Sequence, residues 1–470
     1  MNRKEEYELL IQEIEETPIA LDYTMKRMEA KLKVSRWKGL VGIPVGGCLT
    51  FLVVFTILVN SVPTFAYTCG NIPVIRALAK AVVLSPSLDA ALENQYVQPI
   101  QEEQTINDMK VRIEYLIVDQ KQINIFYSLG SKMYEEVDIR PNIYDINGDI
   151  IDGYGVSFSS YGVPDGKLNH ITIDFVDYDV PEGLNLKIDV YDNKPYYKDR
   201  IKRDAPVPGS KEEPAEARTY EQYSSIGTFT FKLSFDPYYT AQGEKITINK
   251  PMVIDEQKLV LEEVEIYPTH MRIILDDEEE NSAYLKKMSF YVENEKGERF
   301  NEVGNGISAT GKEGSPMMNS YRAESSFFSK SKELTLYITG VEWLDKEKQR
   351  MKLDLVNTSA ESLPEGVTFE SSERMGNRWN LSFSGVQYKE NANYQIWESR
   401  YYDEQGKEYE FNGWSTTSGI WNEQEKKDIR KPNTFFVQIS LDNYPYDTVY
   451  MSPIFSRHVQ LQELMAIKIK

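Results

Sequence analysis

Cysteine is nearly missing from this chain. There are two, Cys48 and Cys69, in 470 residues. They stand 21 positions apart, which in mostly helical chain is roughly 30 Å and far outside the reach of a disulfide, about 7 Å. A disulfide framework and a cysteine metal site are therefore excluded within one chain. Histidine is as scarce, with only His170, His270 and His458. They are scattered, without metal-ligand spacing, and read as surface or hydrogen-bonded residues. Basic residues are outnumbered, 53 Lys and Arg against 73 Asp and Glu, for a net charge of −20. Such a balance argues against nucleic acid, whose affinity comes from Lys and Arg on phosphates, and against anionic headgroups. Catalytic motifs are missing too. There is no nucleophile elbow, metalloprotease helix or phosphate loop, and Gly304-x-Gly306 followed by Gly311 misses the dinucleotide spacing. No enzyme, cofactor or metal site is expected.

Charge of either sign is missing from Gly39 to Ile75. The apolar heart of this stretch is Val41–Val59, VGIPVGGCLTFLVVFTILV. Roughly 20 apolar residues in a helix cross a bilayer core of about 30 Å, so one transmembrane helix is expected over 39–60. Lys26, Arg27, Lys31, Lys33, Arg36 and Lys38 precede it; only Arg76 and Lys80 follow closely. Flanking cations stay on the cytoplasmic side. The expectation is a single-pass protein of the cell membrane, N-terminus inside and C-terminal region outside. Trp37 and Tyr67 sit where interfacial aromatics belong. A cleaved signal peptide is the alternative, with Thr64-Phe65-Ala66 as the cleavage site. Its basic region would be unusually long, and it begins acidic.

The segment before the span is charged and amphipathic. Tyr7, Leu10, Ile11 and Ile14 form one helical stripe. Thr17-Pro18 interrupts it, because the residue before proline is pushed out of the α region. Leu21, Met25, Met28 and Leu32 form a second stripe, ending in the basic cluster as the helix dipole favours. Two short helices bury little on each other. The stripes are the candidate site for a cytoplasmic partner protein. The alternative is a stub whose basic cluster only stops transfer.

Beyond the span, Asn60-Ser61-Val62-Pro63 breaks the helix. Ile72-Pro73-Val74-Ile75 opens a short helix, and Ser85-Pro86-Ser87 separates it from another at Leu88–Glu93. These juxtamembrane elements fill 61–100, on the outer leaflet or capping the first exported domain. The succession Asn60-Ser-Val-Pro-Thr-Phe-Ala-Tyr67, then Ile72-Pro73-x-Ile75-x-x-Leu78, then Leu92-Glu93-Asn94-x-Tyr96-Val97-Gln98, with a strand pair starting near Thr105, resembles the bacterial membrane family known as domain of unknown function 4179. That family often carries a second all-β domain, and the similarity covers about residues 1–360. The resemblance implies an anti-sigma-factor-like regulator paired with an extracytoplasmic-function sigma factor. The chain departs from one anti-sigma class in lacking its His-x-x-x-Cys-x-x-Cys zinc motif, since no Cys or His precedes Cys48.

The remainder alternates. Val111-x-Ile113-x-Tyr115-x-Ile117, Ile123-x-Ile125-x-Tyr127, Leu184-x-Leu186-x-Ile188-x-Val190 and Phe229-x-Phe231-x-Leu233-x-Phe235 predict antiparallel strands with one face buried and one solvated. A weak repeat places an aromatic strand before an acidic turn with glycine at Gly148, Gly297 and Gly406. The expected fold is mainly β: Ig-like sandwiches stacked at 101–240, 245–358 and 366–470, with a solvated loop at 194–222.

Three features invite chemistry, and each has a plainer reading. Asp145, Asn147, Asp149 and Asp152 suggest a calcium loop, but the twelfth-position Glu is replaced by Val156; a turn is the alternative. Asp276–Glu280 reads as a solvated hairpin tip. Trp379, Trp397, Trp414 and Trp421 could stack on sugar rings or fill a core. The expected function is transmembrane regulation, with partner capture at 1–38 and sensing of an unidentified extracellular ligand outside. The rival is a membrane-anchored structural, adhesive or wall-binding surface protein.

Overall fold

The structure is a computed structural model that describes residues 85–159, 161–193, 224–304, 306–312, 314–386, 395–411, 414–417, 420–422, 427–429 and 433–470. The two N-terminal stripes, the apolar stretch and the 194–222 loop lie outside the described residues. Among the described residues no helix is long and apolar enough to cross a membrane.

The described chain is mainly β, and every strand pair is antiparallel. The first sandwich has a sheet ordered β1 (Gln98–Ile106), β2 (Met109–Val118), β3 (Gln122–Gly130), β7 (Asp165–Phe175), β5 (Tyr154–Phe158). Its second sheet is β6 (Tyr161–Gly162), β4 (Val137–Tyr144), β8 (Gly183–Asp192), β9 (Ser224–Ser234). Gly162 lies where the two meet: a Cβ there would stand 2.7 Å from both Ile139 and Leu129. The free edges of β1 and β9 are bridged by side-chain amides. Gln98 donates to Ser234 O at 2.8 Å, Gln104 to Thr230 O at 2.6 Å and Asn107 to Ile226 O at 2.7 Å. They satisfy carbonyls that a neighbouring strand would otherwise take.

The second sandwich repeats the plan, with its two short edge strands exchanged in chain order. Its first sheet is β10 (Glu244–Ile254), β11 (Gln257–Ile266), β12 (Met271–Asp277), β16 (Met318–Ala323), β15 (Ala309–Gly311). Its second is β14 (Arg299–Asn301), β13 (Ala283–Asn294), β17 (Leu334–Asp345), β29 (Arg457–Lys468). Even the bulges recur. The register slips between Pro99 and Glu102 and again between Thr247 and Lys250, with Gln101 and Asn249 at positive φ. It slips once more between Ile113 and Tyr115 and between Leu261 and Glu263.

The third sandwich is nested inside the second. It comprises β20 (Val367–Met375), β21 (Arg378–Val386), β27 (Thr434–Leu441), β24 (Trp414–Thr417) and, in its other sheet, β19 (Ser359–Ala360), β18 (Met351–Asp354), β28 (Thr448–Pro453), β22 (Trp397–Tyr402), β23 (Glu408–Glu410). After β28 the chain returns to the second sandwich, and β29 pairs with β17. The place beside β28 that a closing strand would take is filled by β18, from the start of the insertion. The units expected at 245–358 and 366–470 therefore do not follow the sheets. Alternation shows which residues form strands but not which strand they join, and consecutive strands are neighbours only about two-thirds of the time.

The sequence repeat is a repeated turn. Asp145 Oδ1 accepts from the backbone N–H of Asn147 and Asp149, both at 2.8 Å. Asn294 does the same for Lys296 and Glu298, and Asp403 for Gln405 and Lys407. Gly148, Gly297 and Gly406 take positive φ of 98°, 78° and 79°, which glycine adopts without a Cβ penalty. The Asp145 carboxylate thus serves as a turn cap, held below the usual carboxylate range first by the Asp149 N–H. Asp276 and Asp277 end β12, and Glu278–Glu280 begin the turn to β13 in the other sheet, so the run is an inter-sheet turn and not a hairpin tip. Trp379 and Trp397 fill the third core beside Phe383 and Leu381.

Candidate functional site

The eight N-terminal candidates, Tyr7, Leu10, Ile11, Ile14, Leu21, Met25, Met28 and Leu32, lie outside the described residues. What the described chain does contain is a buried polar junction between the first two sandwiches.

Alternating strands should solvate their outer faces, yet β3 and β7 are buried on both. Ile123, Ile125, Ile171 and Ile173 point into the core, all at 0% exposure, while Asn124, Thr172 and Asp174 on the other face are 1%, 6% and 0% exposed. The cover is the outer face of β12 and β16, with Arg272, Ser320, Arg322 and Glu324. Cross-strand neighbours Arg272 and Arg322 put two like charges side by side, an arrangement that repels. Asp174 of the other sandwich resolves it. Arg322 reaches it with both arms of its fork, 3.0 Å from Nε and 2.7 Å from Nη2. Arg272 Nη2 donates to the same carboxylate at 2.9 Å and to Phe175 O at 2.6 Å. Burial alone would raise the Asp174 pKa; Arg322 and then Arg272 outweigh it and hold the carboxyl far below its usual range. Bidentate, charge-assisted bonds of this kind are the strong ones.

The network continues through equivalent turns of the two sandwiches. Asp119, after β2, accepts from Lys121 N and Gln122 N of its own turn at 2.9 and 2.8 Å. Across the junction it accepts from Thr269 N at 3.0 Å and Thr269 Oγ1 at 2.5 Å. His270, 1% exposed, has Nδ1 2.9 Å from Thr269 Oγ1, and its Nε2 accepts from Arg272 Nε at 3.1 Å. Arginine only donates, so this geometry assigns the proton to Nδ1. Burial pushes the Asp119 pKa up, but the His270 ring, the Thr269 hydroxyl and the Lys121 N–H together bring it below the usual range. On the other flank, His170 stacks on Phe126 at 4.7 Å and bonds Asn124 at 2.9 Å; Asn124 donates to Gln122, and Gln122 to Asp174. Burial pushes the His170 pKa down to about 4. Between these side chains lies a cavity of about 20 Å³, lined by Asn124, His170, Thr172, His270, Leu88 and Ile307 among others. It has room for one water and no organic ligand.

The helix before the first sandwich is tied into this junction. Ser85 caps α1 (Pro86–Glu93), with Pro86 in its first turn; the separator read from Ser85-Pro86-Ser87 is thus the helix start. Leu88, Ala91 and Leu92 are buried. Glu324 of β16's end accepts from Ser87 N at 2.8 Å and from the Ser87 hydroxyl. Burial raises its pKa against the pull of those serine donors. Tyr96, 2% exposed, donates to Tyr239 O in α2 (Pro237–Thr240) and packs 5.7 Å from Phe328.

Sequence reading missed this site because its members are ordinary outer-face residues. His170 and His270, 100 positions apart, line one cavity. The signal in the sequence was weak: Asp174, Arg272 and Arg322 alternate with apolar residues as any solvated outer face would.

Comparison with curated proteins finds no match. Among solved structures the chain is similar to a conserved domain protein from Bacillus anthracis, at 15% identity and a TM-score of 0.37, over 57% of this chain and 85% of that one. Residues 36–131 match the family model of the domain of unknown function DUF4179, and residues 243–370 match that of the family of unknown function DUF5643, so the chain joins two families whose function is unknown.

Proposed function

We propose that the protein is a single-pass membrane regulator, anti-sigma-factor-like, with its N-terminus in the cytoplasm and its Ig-like sandwiches outside. Residues 1–38 hold a cytoplasmic protein, an extracytoplasmic-function sigma factor, through Tyr7, Leu10, Ile11, Ile14, Leu21, Met25, Met28 and Leu32. Residues 39–60 cross the bilayer. The observation that carries the reading is the anchorage of α1. This first described element after the uncharged stretch is held by Glu324 of the second sandwich, and Leu88 lines the cavity shared with the first. A change in how those sandwiches meet would act on the segment that leads back to the membrane. The six-to-two excess of flanking cations supports the orientation.

The test is capture of a co-expressed extracytoplasmic-function sigma factor by residues 1–38. Retention that Leu10→Asp with Ile14→Asp abolishes supports regulation. Each anchor buried in a partner is worth about 1.5–3 kcal/mol, and aspartate adds unpaired charge. No retention, with the protein in the membrane, favours the anchored surface-protein reading.

A further inference from the structure

We infer that the first two sandwiches open and close on one another as rigid bodies, with Phe235–Gly243 as the hinge and the Asp174 cluster as the latch. Three observations carry this. The faces that meet are mostly polar: Asp119, Gln122, Asn124, Thr172 and Asp174 on one side, Thr269, His270, Arg272, Arg322 and Glu324 on the other, with Ile307 against Gly155 as an apolar contact at the edge. Parting them exposes groups that water solvates well, whereas an apolar interface would lose its whole burial energy. A buried ion pair returns little net free energy once desolvation is counted, so closure is held by geometry more than by depth. Second, the pairing is complete only when closed. Arg272 and Arg322 have Asp174 as their shared carboxylate, and it comes from the other body. Third, one covalent connection joins the first two sandwiches, through α2. The second and third are joined by two, 346–350 and 454–456, braced where Arg457 meets Asp345 at 2.9 Å and where Ser456 N donates to Trp343 O at 2.7 Å. Opening would withdraw Thr269 from Asp119 and disturb the cavity that Leu88 of α1 lines. The opening stands apart from the regulator reading; only its use in signalling rests on that reading.

Thiol labelling of the full-length protein in detergent tests the latch, with Cys48 and Cys69 replaced by serine. Thr172→Cys places a thiol on the junction face, and Ile173→Cys places one in the core of the same strand. Adding Asp174→Asn should speed labelling at 172 by about a hundredfold, as an uncompensated buried charge does, and leave 173 unchanged. Replacing Asp174, Arg272 and Arg322 together by methionine should return labelling at 172 to the wild-type rate or below. If Asp174→Asn exposes both positions alike, Thr269→Ala, which removes one bond across the junction, decides. A selective rise at 172 supports the latch, and parallel behaviour of 172 and 173 overturns it. Unchanged labelling at 172 in Asp174→Asn also overturns it.

Discussion

Deleting the last strand should unfold the second sandwich and spare what lies just before the deletion. β29 and the residues after it contribute Ile467 and Ile469, 1% and 7% exposed, to the second core, with Val459, Leu461 and Met465 packed against it. Two buried isoleucines are worth about 3–6 kcal/mol together, and three half-buried side chains add roughly 2–4. The N–H and C=O groups of β17 between Thr335 and Trp343 that face β29 also lose their partners, while those that face β13 keep theirs. The total, about 5–10 kcal/mol, matches the whole stability of a typical domain, about 5–15, and is an upper estimate because unfolded chains retain some burial. A chain ending at Ser456 should be cut by protease within 244–345. A fragment spanning 351–453 should survive, since every strand of the third sandwich is still present. Cleavage confined to 351–456, with 244–345 resistant, would refute the nesting.

Gly162→Ala should destabilise the first sandwich by about 1–3 kcal/mol by overpacking, since its methyl would press on Ile139 and Leu129; denaturant melts of the β-sandwich region measure it. His170 has a folded pKa near 4, below its unfolded value. Its contribution is therefore complete above about pH 6.5 and is lost as pH falls toward 4. Thermal melts across that window should drop more steeply for wild type than for His170→Gln. Glu324→Ala should leave Ser87 N–H unpaired at a buried helix start, costing about 1–3 kcal/mol, and admit protease between residues 85 and 97.

Much of the fold was legible. The period-2 runs at Val111–Ile117, Leu184–Val190 and Phe229–Phe235 are strands, because one apolar face per strand is what a sandwich core demands. The similar spacing from Val111 to Gly148 and from Leu259 to Gly297 reflects the same strand-and-turn unit, β2 to β4 in one sandwich and β11 to β13 in the other. The nesting was not legible. Nothing in the pattern of Met351–Asp354 or Arg457–Lys468 tells a strand which sheet to join. The junction was hidden for a related reason. Asp174, Arg272 and Arg322 look like solvated outer-face residues, and only docking of one sheet on another turns them into a buried cluster.

Transcription of the protein's own operon is the most direct measure of the proposed transmembrane regulation. Leu10→Asp with Ile14→Asp should raise it by releasing the sigma factor, and Asp174→Asn should shift it through the loosened junction. Both variants must remain in the membrane at normal abundance. Wild-type transcription in both would contradict the proposed transmembrane regulation and leave the β-sandwiches to act alone.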